Sequence, residues 1–203
     1  MRLHGIPHST NVHRVSLALG LKGQTAERID HPVGDRAALR ALSGQDLVPV
    51  LETDDGQVLT DSMPIVAWID QTWPDAGPRL YPEGNTEIPA FVQFFNFVWK
   101  VPPNAIDAEQ QRAAPDTRKI AAWAQQLRGW QHGFEALLAG RPFLMSADAP
   151  TAADVCAYPF LRFTASSDPD DDDLFHGILL DHLPGDFPNL AAWIDRMAAF
   201  PLG

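Results

Sequence analysis

The chain has 203 residues, of which 45% are hydrophobic and 20% charged, and its formal net charge is −11. This composition is typical of a soluble globular protein with one large domain or two small ones. The negative charge argues against nucleic acid as a main partner, and the single cysteine excludes an internal disulfide. No apolar run reaches membrane-spanning length, so we expect a cytoplasmic protein with no membrane partner.

The first part of the chain alternates between short strands and helices. Apolar residues at helical spacing follow a turn over residues 7–11, and Gly23 is a helix-ending signal. The predicted elements in chain order are a strand over 2–6, a helix over 12–21, a strand over 26–31, a helix over 35–42, a β-hairpin from 48 onward and a helix over 62–73. This order places a parallel crossover first and an antiparallel hairpin last.

The hairpin is the most informative stretch. Residues 48–51, Val-Pro-Val-Leu, are apolar and β-prone, but Pro49 has no N–H to give to a sheet and is expected at an edge, a strand start or a bend. Residues 54–56, Asp-Asp-Gly, are typical of a turn between two strands. The hairpin then leads directly into a helix N-terminus that carries an acid, Asp61, and a hydroxyl, Ser62.

A segment rich in proline and glycine separates this part of the chain from the rest. We predict a first domain over residues 1–76, a linker over 77–84 and a second domain over 85–203.

The second domain is predicted to be all helical. Thr151 and Asp154 form a capping-box pattern at the start of an apolar helix. The other predicted helices cover 88–101, ended or kinked by two prolines, 117–138 and 191–197. The acidic run over 166–173 is predicted to be a solvated loop, and no metal site is predicted.

These features resemble the glutathione transferase family, in an order that covers essentially the whole chain. The Val48-Pro49 pair, the Asp61-Ser62 pair and the box at Thr151 and Asp154 carry the resemblance. It implies an α/β, thioredoxin-like N-terminal domain followed by an all-helical C-terminal domain. The resemblance is to the serine-type, bacterial members of the family. The N-terminal half most closely resembles the phi class.

The resemblance implies that glutathione is the co-substrate. The backbone of Val48, before a cis Pro49, would pair with the cysteinyl unit of glutathione, and Asp61 and Ser62 would hold its γ-glutamyl end. The residues themselves leave an alternative open, in which Asp61 and Ser62 only cap their helix and Pro49 is only a turn residue.

One binding position departs from the family pattern. A Lys, Gln or His often stands where this chain has Leu47, and reaches the glycine carboxylate of glutathione. We expect Leu47 still to lie at the glutathione site, and a neighbouring polar residue to bind the glycine carboxylate in its place. The candidates are Gln45, Arg36, Arg40 and His31.

The resemblance also assigns the catalytic residues. Ser9 occupies the position of the serine whose hydroxyl stabilises the glutathione thiolate, and Asn11 follows two residues later. The N-terminus of the first helix would add a favourable dipole. A helix N-cap is the alternative role for Ser9, and Thr10 is the alternative donor.

Two classes of function follow from these features. The first is a glutathione transferase of the detoxification type, which adds the thiolate to a small hydrophobic electrophile, with isomerase or dehalogenase chemistry as variants. The second is a non-catalytic relative that binds proteins or ligands. A homodimer is expected from the resemblance.

Overall fold

The computed structural model describes residues 1–165 and 173–203. The N-terminal part contains a four-stranded sheet in the spatial order β2-β1-β3-β4. The β1–β2 pair is parallel, while the β1–β3 and β3–β4 pairs are antiparallel. The strands are β1 (Arg2–Gly5), β2 (Glu27–Asp30), β3 (Val50–Glu52) and β4 (Val58–Thr60). This mixed sheet confirms the predicted thioredoxin-like order.

Three helices accompany the sheet, namely α1 (Thr10–Leu21), α2 (Ala37–Ser43) and α3 (Ser62–Thr72). Helix α1 begins two residues earlier than predicted, because Ser9 caps it. Val12, Val15 and Leu19 of α1 are fully buried, as expected for an apolar stripe at helical spacing. Helix α1 packs against both α3 and a C-terminal helix, and so lies at the centre of the molecule.

The remaining described elements are helical. They are α4 (Glu87–Phe94), a π-helical segment (Phe95–Trp99), α5 (Val101–Gln110), α6 (Thr117–Leu137), α7 (Ala152–Leu161), a 3-10 turn (Arg162–Thr164), α8 (Leu174–His182) and α9 (Pro188–Ala198). No helix in this part of the chain is both long and apolar enough to cross a membrane. The predicted loop over 166–173 lies outside the described residues except for Asp173, which caps α8.

The predicted helix over 88–101 is corrected by the structure. The chain leaves α4 through the π-helical segment, in which the N–H of Lys100 bonds to the carbonyl of Phe95 at 3.1 Å. Pro102 and Pro103 then stand in the first turn of α5, where a missing N–H costs no hydrogen bond. The two prolines therefore begin a helix that the sequence analysis did not predict.

Helix α7 is buried over all ten of its residues. Its predicted capping box is confirmed, since Asp154 accepts the N–H of Thr151 at 2.8 Å. Asp154 also accepts the N–H of Leu144 and the indole N–H of Trp193, both at 2.9 Å. Because α7 contacts α1, α3 and α4, it determines where the C-terminal helices meet the sheet domain.

Candidate active site

The turn between β1 and α1 carries Ser9. Its backbone is extended, and its Oγ accepts the N–H of Val12 at 3.3 Å, so Ser9 caps α1. This bond uses the hydroxyl oxygen as an acceptor and leaves the hydroxyl proton free to be donated. Capping and a catalytic donor role are therefore chemically compatible. His8, directly before Ser9, has a φ of 62°, which few residues with a Cβ adopt.

The N-terminus of α3 carries Asp61 and Ser62. The Val48–Pro49 bond at the start of the hairpin is cis. Asp61 has a φ of 65° and a ψ of 128°, and its carboxylate makes no capping hydrogen bond to α3. Asp61 therefore stands at the N-cap position of α3 without a side-chain cap bond. A strained backbone with an exposed, unused carboxylate is typical of a ligand site.

A cleft of about 530 Å³ lies between the sheet domain and the C-terminal helices. It brings together five of the predicted site residues, namely Asn11, Leu47, Val48, Asp61 and Ser62. Across the cleft stand residues of α4 and the π-helical segment. Ser9, Gln45 and Pro49 do not line it.

Arg14 of α1 forms the floor of this cleft and is 1% exposed. Its Nη1 donates to the side-chain oxygens of three residues: Asn11 at 3.1 Å, Ser62 at 3.2 Å and Asn96 at 3.0 Å. Its Nε donates to the carbonyl of Cys156 at 2.8 Å. Arg14 thus ties α1 to α3, the π-helical segment and α7 at one point.

Lys100 faces the same cleft from the end of the π-helical segment. Its Nζ lies 3.5 Å from Oδ1 of Asn11 and 4.9 Å from the centre of the Phe160 ring. The pKa of Lys100 is lowered to about 8, mainly by burial and also by the positive charge of Arg14, while Cys156 partly opposes the shift. The cleft therefore holds two cations within reach of Asn11.

Asn11 is oriented by these cations. Because Oδ1 of Asn11 accepts from Arg14 and Lys100, its amide nitrogen is the group left to donate. That nitrogen has no hydrogen-bond partner within 1–165 and 173–203. Asn11 therefore offers a fixed N–H donor in the cleft that holds Val48 and Ser62.

Ser9 lines a different and smaller cavity, of about 180 Å³. His13 and Ser16 of α1 share this cavity with Arg28 of β2 and with Arg162. Burial lowers the pKa of His13 to about 4, so its imidazole is neutral at physiological pH.

A third cavity, of about 560 Å³, opens beside the β1–α1 turn. Pro7 and His8 form one side of it, while Val33, Leu174 and Phe175 supply apolar surface. His8 also lines the small cavity around Ser9, so the two cavities meet at this residue.

Four polar residues were predicted to take over the role of the Lys, Gln or His that the family often has at position 47. They are engaged elsewhere or lie apart from the cleft. Leu47 itself is 63% exposed. Arg40 binds Asp46 through two hydrogen bonds of 2.6 and 2.7 Å, and His31 lies 3.0 Å from His4. Arg36 donates to the carbonyl of Val33. Gln45 is half-buried, and its amide nitrogen has no partner in the described part of the chain.

Sequence reasoning missed Arg14, Asn96 and Lys100. A local signal existed only for Arg14, which is a charged residue among the apolar positions of α1. Asn96 and Lys100 carry no motif, and the π-helical segment that orients them is not visible in the hydrophobic period.

The comparisons with known proteins agree with this architecture. Residues 3–78 match the family model of the glutathione S-transferase N-terminal domain, and residues 109–196 match that of the C-terminal domain. A maleylpyruvate isomerase from Ralstonia is 30% identical over 172 residues, covering 78% of this chain and 80% of that protein. A probable glutathione S-transferase from Zea mays is 28% identical over 215 residues, covering 99% and 87%.

A solved structure shows the same fold. The tau-class glutathione S-transferase from mango, Mangifera indica, superposes with a TM-score of 0.78 at 21% identity, covering 98% of this chain and 89% of that one. A thioredoxin-like sheet followed by a helical domain is the architecture that the two proteins share. The chain belongs to the glutathione transferase family. Its class within the family, predicted as phi, stays a prediction.

Proposed function

We propose that the protein is a glutathione transferase that joins the glutathione thiolate to a small electrophile. The observation that supports this most is the cleft that gathers Asn11, Val48, Asp61 and Ser62 from three separate elements. The unused carboxylate of Asp61 suits the γ-glutamyl ammonium, and Ser62 suits the adjacent carboxylate. The backbone of Val48 would pair with the cysteinyl unit.

The thiolate would lie at the first turn of α1. Asn11 presents a free N–H in the cleft, and Ser9 retains a free hydroxyl proton at the helix end. Hydrogen bonds from such donors stabilise a thiolate and lower the pKa of the glutathione thiol. The electrophile would bind in the cavity beside Pro7 and His8, whose apolar surface includes Leu174 and Phe175. There the sulfur would form a C–S bond while the leaving group departs with its electron pair.

A homodimer and a cytoplasmic detoxification role are part of this proposal. Phe97, Val98 and Val101 expose 70%, 44% and 53% of their surfaces on one stretch of the C-terminal helices. An apolar surface of this kind favours association with a second copy. Sedimentation at micromolar concentration would distinguish a dimer from a monomer.

Glutathione-dependent isomerisation is the second candidate reaction. It is favoured by the 30% identity to a maleylpyruvate isomerase, which spans 80% of that protein. In an isomerase the C–S bond formed by the attack would break again and release glutathione unchanged, whereas a transferase consumes glutathione. The fate of glutathione in a product assay separates the two reactions.

The first experiment is calorimetric titration with glutathione, together with the ultraviolet difference spectrum of the thiolate. We expect binding and a thiolate signal at neutral pH, and about tenfold weaker binding in Asp61→Asn because one charged contact is lost. Asp75→Asn, an exposed position in the segment after α3, is the matched control and should bind as the unaltered protein does.

Each other outcome has a definite meaning. Absence of glutathione binding would overturn the proposed function and favour the non-catalytic alternative. Binding without a thiolate signal would overturn the proposed chemistry.

A further inference from the structure

Two cations line the cleft, and neither is ion-paired within the part of the chain that the structure describes. Arg14 and Lys100 both line it, and both contact Oδ1 of Asn11. Within the described ranges, 1–165 and 173–203, neither cation forms an ion pair with a carboxylate. Asp61 lines the cleft as well but pairs with neither of them. Asp61 is the one carboxylate among the residues that line the cleft, so the two cations outnumber the acid and neither has an ion-pair partner among the described residues.

The hydrogen bonds of Arg14 do not remove this imbalance. All of its oxygen partners are neutral: two amides, one hydroxyl and one backbone carbonyl. Its Nη2 lies 3.1 Å from Sγ of Cys156, a thiol whose pKa is raised by burial, and its Cζ lies 5.7 and 4.7 Å from the ring centres of Phe95 and Phe160, which are also neutral. Burying a charge is costly unless an opposite charge accompanies it. The guanidinium is thus held in place by dipoles while its charge remains available to an anion.

Lys100 supplies the donors. An ammonium has three N–H groups, and the described contacts of Lys100 Nζ are one long hydrogen bond and the face of the Phe160 ring. The π-helical segment sets this position, since the bond from the Lys100 N–H to the Phe95 carbonyl adds one residue to the helical turn. Such segments are rare and occur frequently at functional sites.

We propose that Lys100, supported by the charge of Arg14, binds a carboxylate group in the cleft. A carboxylate there would accept from the ammonium and compensate both cations. The carboxylate would come either from glutathione or from the second substrate, and this choice rests on the proposed function. In either case Lys100 is a specificity-determining residue that no sequence motif reveals.

The variant Lys100→Met tests the proposal, because it removes the ammonium and keeps the length and apolar character of the stem. Lys119→Met is the matched control, since Lys119 is exposed on α6 and is not among the residues that line the cleft. Lys100→Arg keeps the charge and should retain binding within about threefold.

Three measurements are made on each variant. The first is the Kd for glutathione. The second is the ratio of kcat/KM for chlorodinitrobenzoate to that for chlorodinitrobenzene, two electrophiles that lose chloride and differ by one carboxylate. The third is the rise in Tm produced by succinate, a small dicarboxylate that needs no glutathione.

We expect Lys100→Met to lose most of the succinate effect, and one of the other two readouts to change about tenfold, as for the loss of one charged contact. A higher Kd for glutathione with an unchanged ratio identifies glutathione as the source of the carboxylate. A lower ratio identifies the second substrate. If Lys100→Met matches Lys119→Met within twofold in all three measurements, the carboxylate subsite does not exist.

Proton uptake gives an independent readout. Around Lys100 the charged or titratable groups are Arg14 on α1, Cys156 on α7 and Asp61 at the start of α3. Because the pKa of Lys100 is about 8 in the free protein, a bound carboxylate would raise it and take up as much as about half a proton at pH 8. Calorimetry in two buffers of different ionisation enthalpy measures this uptake, which should vanish in Lys100→Met.

Failure of the subsite and failure of the proposed function are distinguishable. In one case the unaltered protein does not bind glutathione, and succinate raises its Tm but not that of Lys100→Met. The transferase proposal then fails and the subsite stands. If conjugation proceeds and Lys100→Met changes nothing beyond its control, the subsite fails and the transferase proposal stands.

Discussion

The two faces of α1 are built from the same twelve-residue helix but meet different surroundings. Asn11 and Arg14, three residues apart, line the large cleft together with Val48 and Ser62. Ser9, at the helix cap, and His13, four residues further on, line the small cavity on the other side. Residues three or four apart share a helix face, which explains both groupings.

The difference shows what a linear motif conceals. Ser9 and Asn11 were predicted as one catalytic pair, yet Ser9 is the extended cap residue before α1 and Asn11 is the second residue within the helix. The structure accordingly places them in separate cavities. Their common feature is the N-terminus of α1, so a thiolate served by both must lie over the helix end rather than on either face.

The largest effect is expected on the cleft face, from Arg14→Met. This change removes the donors to Ser62 and Asn96, one of the two donors to Asn11 and the donor to the Cys156 carbonyl, in a buried or part-buried place. Since each unsatisfied buried polar group costs about 1–3 kcal/mol, we expect a loss of about 3 kcal/mol or more in the free energy of unfolding. Urea unfolding followed by circular dichroism measures it.

Ser16→Ala is the matched change on the opposite face. The hydroxyl of Ser16 has no hydrogen-bond partner in the part of the chain that the structure describes, and the change should alter stability by no more than about 0.5 kcal/mol. Equal stability of the two variants would mean that Arg14 does not join the helices as its contacts indicate.

The second prediction concerns the cap of α1. Ser9→Ala removes a hydroxyl proton that can stabilise the thiolate, and conjugation should slow about a hundredfold, or about 2.7 kcal/mol in kcat/KM. It also removes the cap bond to Val12, which costs about 1 kcal/mol of stability.

Ser9→Asp separates the two roles of Ser9. Aspartate is a favourable N-cap but carries no proton to donate at neutral pH. We expect normal stability and the same slow turnover as in Ser9→Ala. Normal turnover in Ser9→Asp would show that Ser9 is only a cap and that Asn11 holds the sulfur alone.

The sheet domain and its side of the cleft were predictable because their signals are local. Pro49 marks the strand entry, and an acid–hydroxyl pair marks the start of α3. The capping box at Thr151 is local in the same way. Each of these signals depends on residues within a few positions, so chain order and turn chemistry were sufficient to place them.

The opposite side of the cleft could not be predicted, because it depends on distance along the chain. Arg14 meets Asn96 from 82 residues away and Cys156 from 142 residues away. Lys100 reaches the cleft only because a π-helical segment shifts the helix phase just before Pro102. A uniform period of 3.6 residues does not include this shift of phase.

The third prediction is a pH dependence on the face of His13. The pKa of His13 is about 4 in the folded protein against 6.5 for an ordinary histidine, so the unfolded chain binds the extra proton. Stability is therefore full above pH 6.5 and falls as the pH drops toward 4. Between pH 7 and pH 5 we expect about 2 kcal/mol of loss that His13→Gln does not show.

Urea midpoints of both proteins across this pH range measure the difference. Parallel curves for the two proteins would contradict the depressed pKa of His13. The other histidines with lowered pKa values, His4 and His182, titrate equally in both and cancel in the comparison.

The smallest expected effect, and the one of opposite sign, comes from Asn11→Asp on the cleft face. Here a carboxylate would stand 3.1 Å from Nη1 of Arg14 and 3.5 Å from Nζ of Lys100, and in the first turn of a helix that has no acid there. The attraction to the two cations and to the helix dipole both favour the folded protein. After the cost of desolvating the carboxylate, we expect the free energy of unfolding to rise by about 1 kcal/mol.

The same change should impair function, because it replaces the amide donor with an anion that repels the thiolate. Asn11→Asp should raise the pKa of Lys100 above 8 and abolish the stabilisation by succinate, since the cations then have an internal partner. Greater stability with weaker glutathione binding would show that the cleft face keeps a surplus of positive charge for a ligand at the expense of the fold. A loss of stability would mean that the neutral oxygens around Arg14 already satisfy it, and the contrast between the two faces of α1 would then be one of shape alone.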